Sequence, residues 1–112
     1  MKKGEIWWAS LGEPRGSEPG FRRPVIIVSS NEFNDSRINT VLAVVVTSNL
    51  RLAEAPGNIL LEKKHSKLAK DSVINVSQLI TVDKEFLTEK ISKLNAQHLN
   101  AVNEGLRLVL GL

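Results

Sequence analysis

What most constrains this chain is a succession of short β-branched runs that ends in one stripe of helical period. Pro24 to Ser30 and Thr40 to Ser48 are continuous β-branched segments, the pattern of strands buried on both faces. Glu5 to Leu11, with Trp7 and Trp8, has strand character and is ended by Gly12 and Pro14. Asn58 to Glu62, Ser72 to Ile80 and Leu87 to Leu94 read as shorter strands, with Val82 to Glu85 a tight turn and Leu50 to Asn58, containing Pro56-Gly57, a loop. Asn31 to Arg37 fits one helical turn or two, capped by Ser30 or Asn31. From Asn95 the period changes. Leu99, Val102, Leu106 and Val109/Leu110 form the apolar stripe of a helix capped by Asn95 and stopped by Gly111. Strands this short and this numerous predict a mainly β fold, a small, strongly bent barrel closed by the terminal helix.

With 112 residues, 42% apolar and 24% charged, residues 1–112 are expected to form a single domain with an ordinary core. The absence of Cys excludes disulfide scaffolds, thiolate metal sites and a Cys nucleophile, and suits a reducing, cytoplasmic setting. Behind Met1-Lys2-Lys3 the apolar run is only Ile6 to Ala9, short of an export signal. The longest internal apolar stretch, Val41 to Val46, is far below a membrane span.

A net charge of +3 permits contact with polyanions, and its placement says more than its size. Residues 62–70 hold four Lys against one Glu, a pattern that a solvated loop explains. Arg15, Arg22 and Arg23 crowd a loop, Gly12 to Arg22, whose eleven residues include three Gly and two Pro. Loops this long in small domains are functional or disordered, and a guanidinium suits bidentate phosphate contact.

Most catalytic templates fail on inventory. His65 and His98 stand 33 positions apart with no metal-ligand spacing around them, and both read as structural residues without a catalytic role. There is no nucleophile elbow and no Walker loop. What remains is Arg23 at the start of one long strand and Thr47 at the end of the next. If those strands pair antiparallel through the short helical connection, the two residues share one end of the sheet. A fixed cation beside a hydroxyl can bind a phosphate and stabilise the charge on a five-coordinate phosphorus. RNA supplies its own nucleophile in the ribose 2′-hydroxyl, so neither a metal nor a protein nucleophile is needed.

Gly4-Glu5-Ile6-Trp7, the block from Gly16-Ser17-Glu18 through Gly20 to Arg22-Arg23-Pro24-Val25, Val44 to Ser48, Asp71-Ser72-Val73, Gln78 and Thr81 to Lys84 together resemble the MazF/PemK (Kid) toxin family along the whole chain. The resemblance implies an SH3-like barrel with a C-terminal helix and a homodimer. It implies a metal-independent, cofactor-free endoribonuclease, an mRNA interferase that cuts single-stranded RNA at specific sequences to leave a 2′,3′-cyclic phosphate and a 5′-hydroxyl. Carried over by position, the essential Arg falls on Arg23 and the phosphate-binding Thr on Thr47. Ser17, Glu18 and Gln78 match positions lining the RNA surface, and Phe21, Arg22, Ser48 and Ser77 join them as candidate substrate contacts. Kid-type members place an Arg and an Asp where this chain has Asn75 and Ser77, so acid–base work cannot rest there. Arg23 is expected to stabilise the transition state and donate to the leaving 5′-oxygen, with Glu18 or a water as the base. A MazE-like antitoxin, with an acidic segment that folds along the cationic groove, is the implied partner. The loop at 12–22 is expected to move to admit RNA or antitoxin.

Two rivals remain. A CcdB-type gyrase poison shares this fold, but such chains end Trp-Gly-Ile where this one ends Leu110-Gly111-Leu112. A non-catalytic RNA- or peptide-binding barrel would use Trp7, Trp8 and Phe21 as a stacking platform; adjacent Trp residues point to opposite faces, so at least one is expected in the core.

Overall fold

The computed structural model describes residues 1–13, 16 and 21–112. Six strands form one antiparallel sheet: β1 (Glu5–Ser10), β2 (Arg22–Ile27), β3 (Thr40–Thr47), β4 (Ile59–Leu61), β5 (Ser72–Asp83) and β6 (Leu87–Lys93), in the order β4-β5-β3-β2-β1-β6. The helices are α1 (Asn31–Asn34), α2 (Lys63–Ser66) and α3 (Ala96–Leu110). The mainly β, curled architecture with a C-terminal helix is the one expected. The described residues contain no helix long and apolar enough to cross a membrane.

The sheet curls because its longest strand is interrupted. Val44 pairs with Leu79, but the next residue, Val45, pairs with Asn75, so Val76 to Gln78 are extra residues on β5. A bulge of this kind bends the strand and sharpens its twist. One half of β5 thereby pairs with β3 alone, while Ser72 to Ile74 also carry β4. β5 runs on through Val82 and Asp83, where a tight turn was expected, and the reversal is made by the 3₁₀ turn Lys84–Phe86. The ammonium of Lys84 donates to the Asn34 carbonyl at 2.6 Å, tying that reversal to the end of α1.

Both faces of the central strands are covered. Ile26, Val44, Val46 and Ile74 belong to one core cluster, onto which α3 lays Val102, Leu99 and Leu106. Val25, Ile27, Ala43 and Val45 point the other way into a second cluster with Ala9, Val41, Val82 and Leu87. This accounts for the unbroken β-branched runs, since alternate residues of β2 and β3 meet separate cores. Leu42, 37% exposed, is the exception in β3.

The caps fall where the sequence puts them. Ser30 Oγ accepts from the Phe33 amide at 3.2 Å, and α1 is a single turn. Asn95 Oδ1 accepts from the His98 amide at 2.8 Å, and Gly111 ends α3 with φ of 70°, the left-handed conformation that glycine adopts without strain. The lysine-rich stretch holds the short α2, closed by Lys67 at φ 65°.

Candidate active site

The long runs that make β2 and β3 also place their ends. Val25 faces Val45 in an antiparallel ladder, and continuing that register by two residues sets Arg23 opposite Thr47. Directly opposed residues of an antiparallel pair project from the same face. Both side chains line one open cleft of about 300 Å³ at this end of the sheet, as expected from strand order. Arg23 is exposed and is held on its other side by pairing with Ala9 of β1. Thr47 is half-buried, and its Oγ1 accepts from the Asn49 amide at 3.2 Å. A hydroxyl has one hydrogen to give, and accepting from Asn49 leaves that hydrogen for a ligand.

Arg22 lies in the same cleft but is engaged by the protein itself. Its guanidinium carbon sits 4.3 Å from the centroid of Trp8, and its Nη2 is 3.2 Å from Glu89 Oε2. Trp8 therefore forms part of the cleft wall beneath Arg22, while Trp7 packs against the second core cluster. The alternation of the two Trp residues thus separates one toward the core and one toward the site.

Ser48 lines the cleft as well. Ser77 and Gln78 do not; they occupy the β5 bulge. Asn75, 7% exposed, accepts from Ser77 Oγ at 3.0 Å and from Asn58 Nδ2 at 3.2 Å, and donates to Gln78 Oε1 at 3.1 Å. Asn58 also accepts from the Val76 amide at 3.0 Å, so the first extra residue of the bulge is satisfied by a side chain. Asn75 and Ser77 are thus an amide and a hydroxyl bonded to each other. Phe21 is 62% exposed at φ 57°, its amide donating to Gly12 O and its carbonyl accepting from Leu11 N. Ser17 and Glu18 lie outside the described residues, as does most of the loop expected to move.

Two features escaped the sequence reading. Lys70, assigned with its neighbours to a solvated loop, lines the cleft together with Leu68, Ala69 and Ser72. The adjoining Asp71-Ser72-Val73 block was the available signal. His65 and His98 meet across α2 and α3 with ring centroids 5.2 Å apart, a contact no spacing rule reveals. Burial, and then the neighbouring His65, hold His98 below the ordinary histidine range, against the pull of Glu62. At the other end of β1, burial pushes the Glu5 carboxyl up. The Lys2 amide, the Lys90 ammonium and the Trp7 indole together outweigh it and bring the group down to about 2.

Residues 2–110 match the family model of PemK-like, MazF-like toxins of type II toxin–antitoxin systems. The chain is 44% identical over 112 residues to Endoribonuclease MazF6 of Mycobacterium tuberculosis, covering 100% of this chain and 98% of that one. It is 36% identical to Endoribonuclease MazF of Staphylococcus saprophyticus, covering 100% and 92%. Among solved structures, MazF of Deinococcus radiodurans superposes with a TM-score of 0.82 at 23% identity, covering 100% of this chain and 97% of that one. A mycobacterial endoribonuclease in complex with its cognate antitoxin gives 0.81 at 23% identity, covering 100% and 96%. Likeness at that identity speaks for the fold, and the sequence matches speak for kinship: the chain belongs to the PemK-like, MazF-like toxins of type II toxin–antitoxin systems.

Proposed function

We propose that this protein is a toxin that acts as an endoribonuclease on single-stranded RNA, cutting messenger RNA at specific sequences and so stopping translation. The observation that carries the reading is the single cleft lined by Arg23 and Thr47, in a chain whose relatives at 44% and 36% identity are named endoribonucleases.

The reaction this chemistry supports is an internal transfer. The ribose 2′-oxygen attacks the adjacent phosphorus, the bond to the 5′-oxygen breaks, and the products are a 2′,3′-cyclic phosphate and a free 5′-hydroxyl. The 2′-proton passes to a base, Glu18 or a water, and a proton reaches the leaving oxygen. Arg23 neutralises the charge that builds on the five-coordinate phosphorus and donates to the leaving oxygen. Thr47 donates to a phosphoryl oxygen. Because the nucleophile belongs to the substrate, the step calls for neither metal nor cofactor. Arg22, Ser48 and Phe21 contact RNA beside the scissile group, Ser77 and Gln78 read bases from the β5 bulge, and Ser17 and Glu18 are further substrate contacts. The Arg22–Glu89 pair is exposed and exchanges readily for a phosphate contact.

A homodimer in the cytoplasm, silenced by a MazE-like antitoxin whose acidic segment covers the cationic cleft, completes the reading. The antitoxin-bound mycobacterial relative supports it, and sedimentation would test the dimer. The deciding experiment is incubation with a long single-stranded RNA in chelator, with cut sites and end groups mapped. Discrete cuts ending in cyclic phosphate are expected. Arg23→Ala should lower the rate by at least about 10²-fold, the scale of losing one oxyanion donor. Thr47→Ala should cost less, and a Lys63→Ala/Lys64→Ala double variant should cut normally. Absence of discrete cuts overturns the reading.

A further inference from the structure

The cleft carries a cation that the proposed chemistry does not use. Lys70 belongs to a cluster of four lysines, yet of these it alone lines the cleft with Arg23 and Thr47. Its backbone is fixed on the side that leads into β5. Ser72 Oγ donates to the Lys70 carbonyl at 3.1 Å, and Asp71 Oδ1 accepts from the Lys63 amide at 2.8 Å, anchoring the segment to the start of α2. Arg22 is engaged by Glu89, Lys90 by Glu5 and Arg107 by Glu104. Among the described residues Lys70 has no acidic partner. Thr47 pairs with Val73 of β5, so the chain leading into β5 stands on the far side of Thr47 from Arg23.

We propose that Lys70 binds an RNA phosphate next to the one held by Arg23 and Thr47, and so sets the register of the strand in the cleft. The inference rests on the ribonuclease reading. An ammonium on a flexible stem is a point charge without directional demand, which suits a positioning contact to the backbone, whereas the planar guanidinium suits the reacting group. Lys70 is thus a binding residue that leaves the chemical step to its neighbours.

Two measurements test it. The first is cleavage kinetics on an oligonucleotide carrying a mapped cut site. Lys70→Gln should raise KM roughly tenfold, the scale of one hydrogen bond to a charged group, with kcat within about twofold of wild type. The second is binding of the same oligonucleotide made wholly 2′-O-methyl, which cannot be cut, across a range of salt. The slope of log K against log salt should be shallower by about 0.7 in Lys70→Gln, the change for one phosphate contact on a single strand. Lys70→Arg should restore the slope, and Lys63→Gln should leave it at the wild-type value. An unchanged slope in Lys70→Gln overturns the proposal, as does a fall in kcat at constant KM, which would make Lys70 part of the chemical step. If the wild-type protein neither cuts nor binds RNA, the ribonuclease reading fails first and takes this inference with it.

Discussion

At the scale of single residues, Glu5 shows how a buried carboxylate is held by several donors. Its Oε1 accepts from the Lys2 amide at 2.9 Å and from Trp7 Nε1 at 3.0 Å, and Oε2 stands 2.9 Å from Lys90 Nζ. The folded group titrates at about 2 against an ordinary 4.5. Its stabilising contribution is therefore complete above pH 4.5 and is lost as pH falls toward 2, a difference worth about 3 kcal/mol. Glu5→Gln should destabilise the protein at pH 7, and its stability gap to wild type should close between pH 4.5 and 2 in denaturant titrations. A gap independent of pH would show that packing, rather than charge, holds the group. His98 acts earlier in an acid titration. Because it is held below 6.5, protonation favours the unfolded chain, and stability starts to fall as pH drops through 6.5. His98→Gln should remove that first decline and leave the one belonging to Glu5.

At the scale of elements, the packing of α3 turns on two glycines. A Cβ on Gly105 would lie 2.3 Å from the carbonyl oxygen of Gly57, which itself holds φ of 81°. Replacing a helical glycine by alanine ordinarily stabilises by about 1 kcal/mol. Here the clash is with backbone, so Gly105→Ala should instead destabilise by roughly 2 kcal/mol or more, read as a lower denaturant midpoint. The same elements show what a sequence discloses. The stripe of α3, its Asn95 and Gly111 caps, and the ends of β2 and β3 that bring Arg23 to Thr47 follow from local pattern. The β5 bulge does not. No Gly or Pro in Val76 to Gln78 marks where the pairing slips, and the Asn58 side chain that accepts from the Val76 amide lies 18 positions away. Lys70 and the two histidines were missed for the same reason: charge runs and isolated His residues have no period, and only the folded chain assigns them neighbours.

At the scale of the molecule, β3 makes two cores into one folding unit. Val44 and Val46 project into the cluster that supports α3, and Val41, Ala43 and Val45 into the cluster that holds Trp7. The strand is paired on both sides, to β2 and β5, so neither cluster can open without breaking a ladder that the other needs. Val44→Ala and Val45→Ala remove the same atoms from opposite faces at 0% and 2% exposure, and each should cost roughly 2–3 kcal/mol. Each face has its own probe. Helical circular dichroism follows α3 on the first cluster, and fluorescence of a Trp8→Phe variant, which leaves Trp7 as the sole indole, follows the second. If the clusters are coupled through β3, both probes report one midpoint, and either Val substitution moves them together without changing the denaturant slope. Separate midpoints, with Val45→Ala lowering only the fluorescence transition, would mean that the second cluster melts alone. The rim that carries Arg23 and Thr47 would then be set by β3 pairing that survives with half its core.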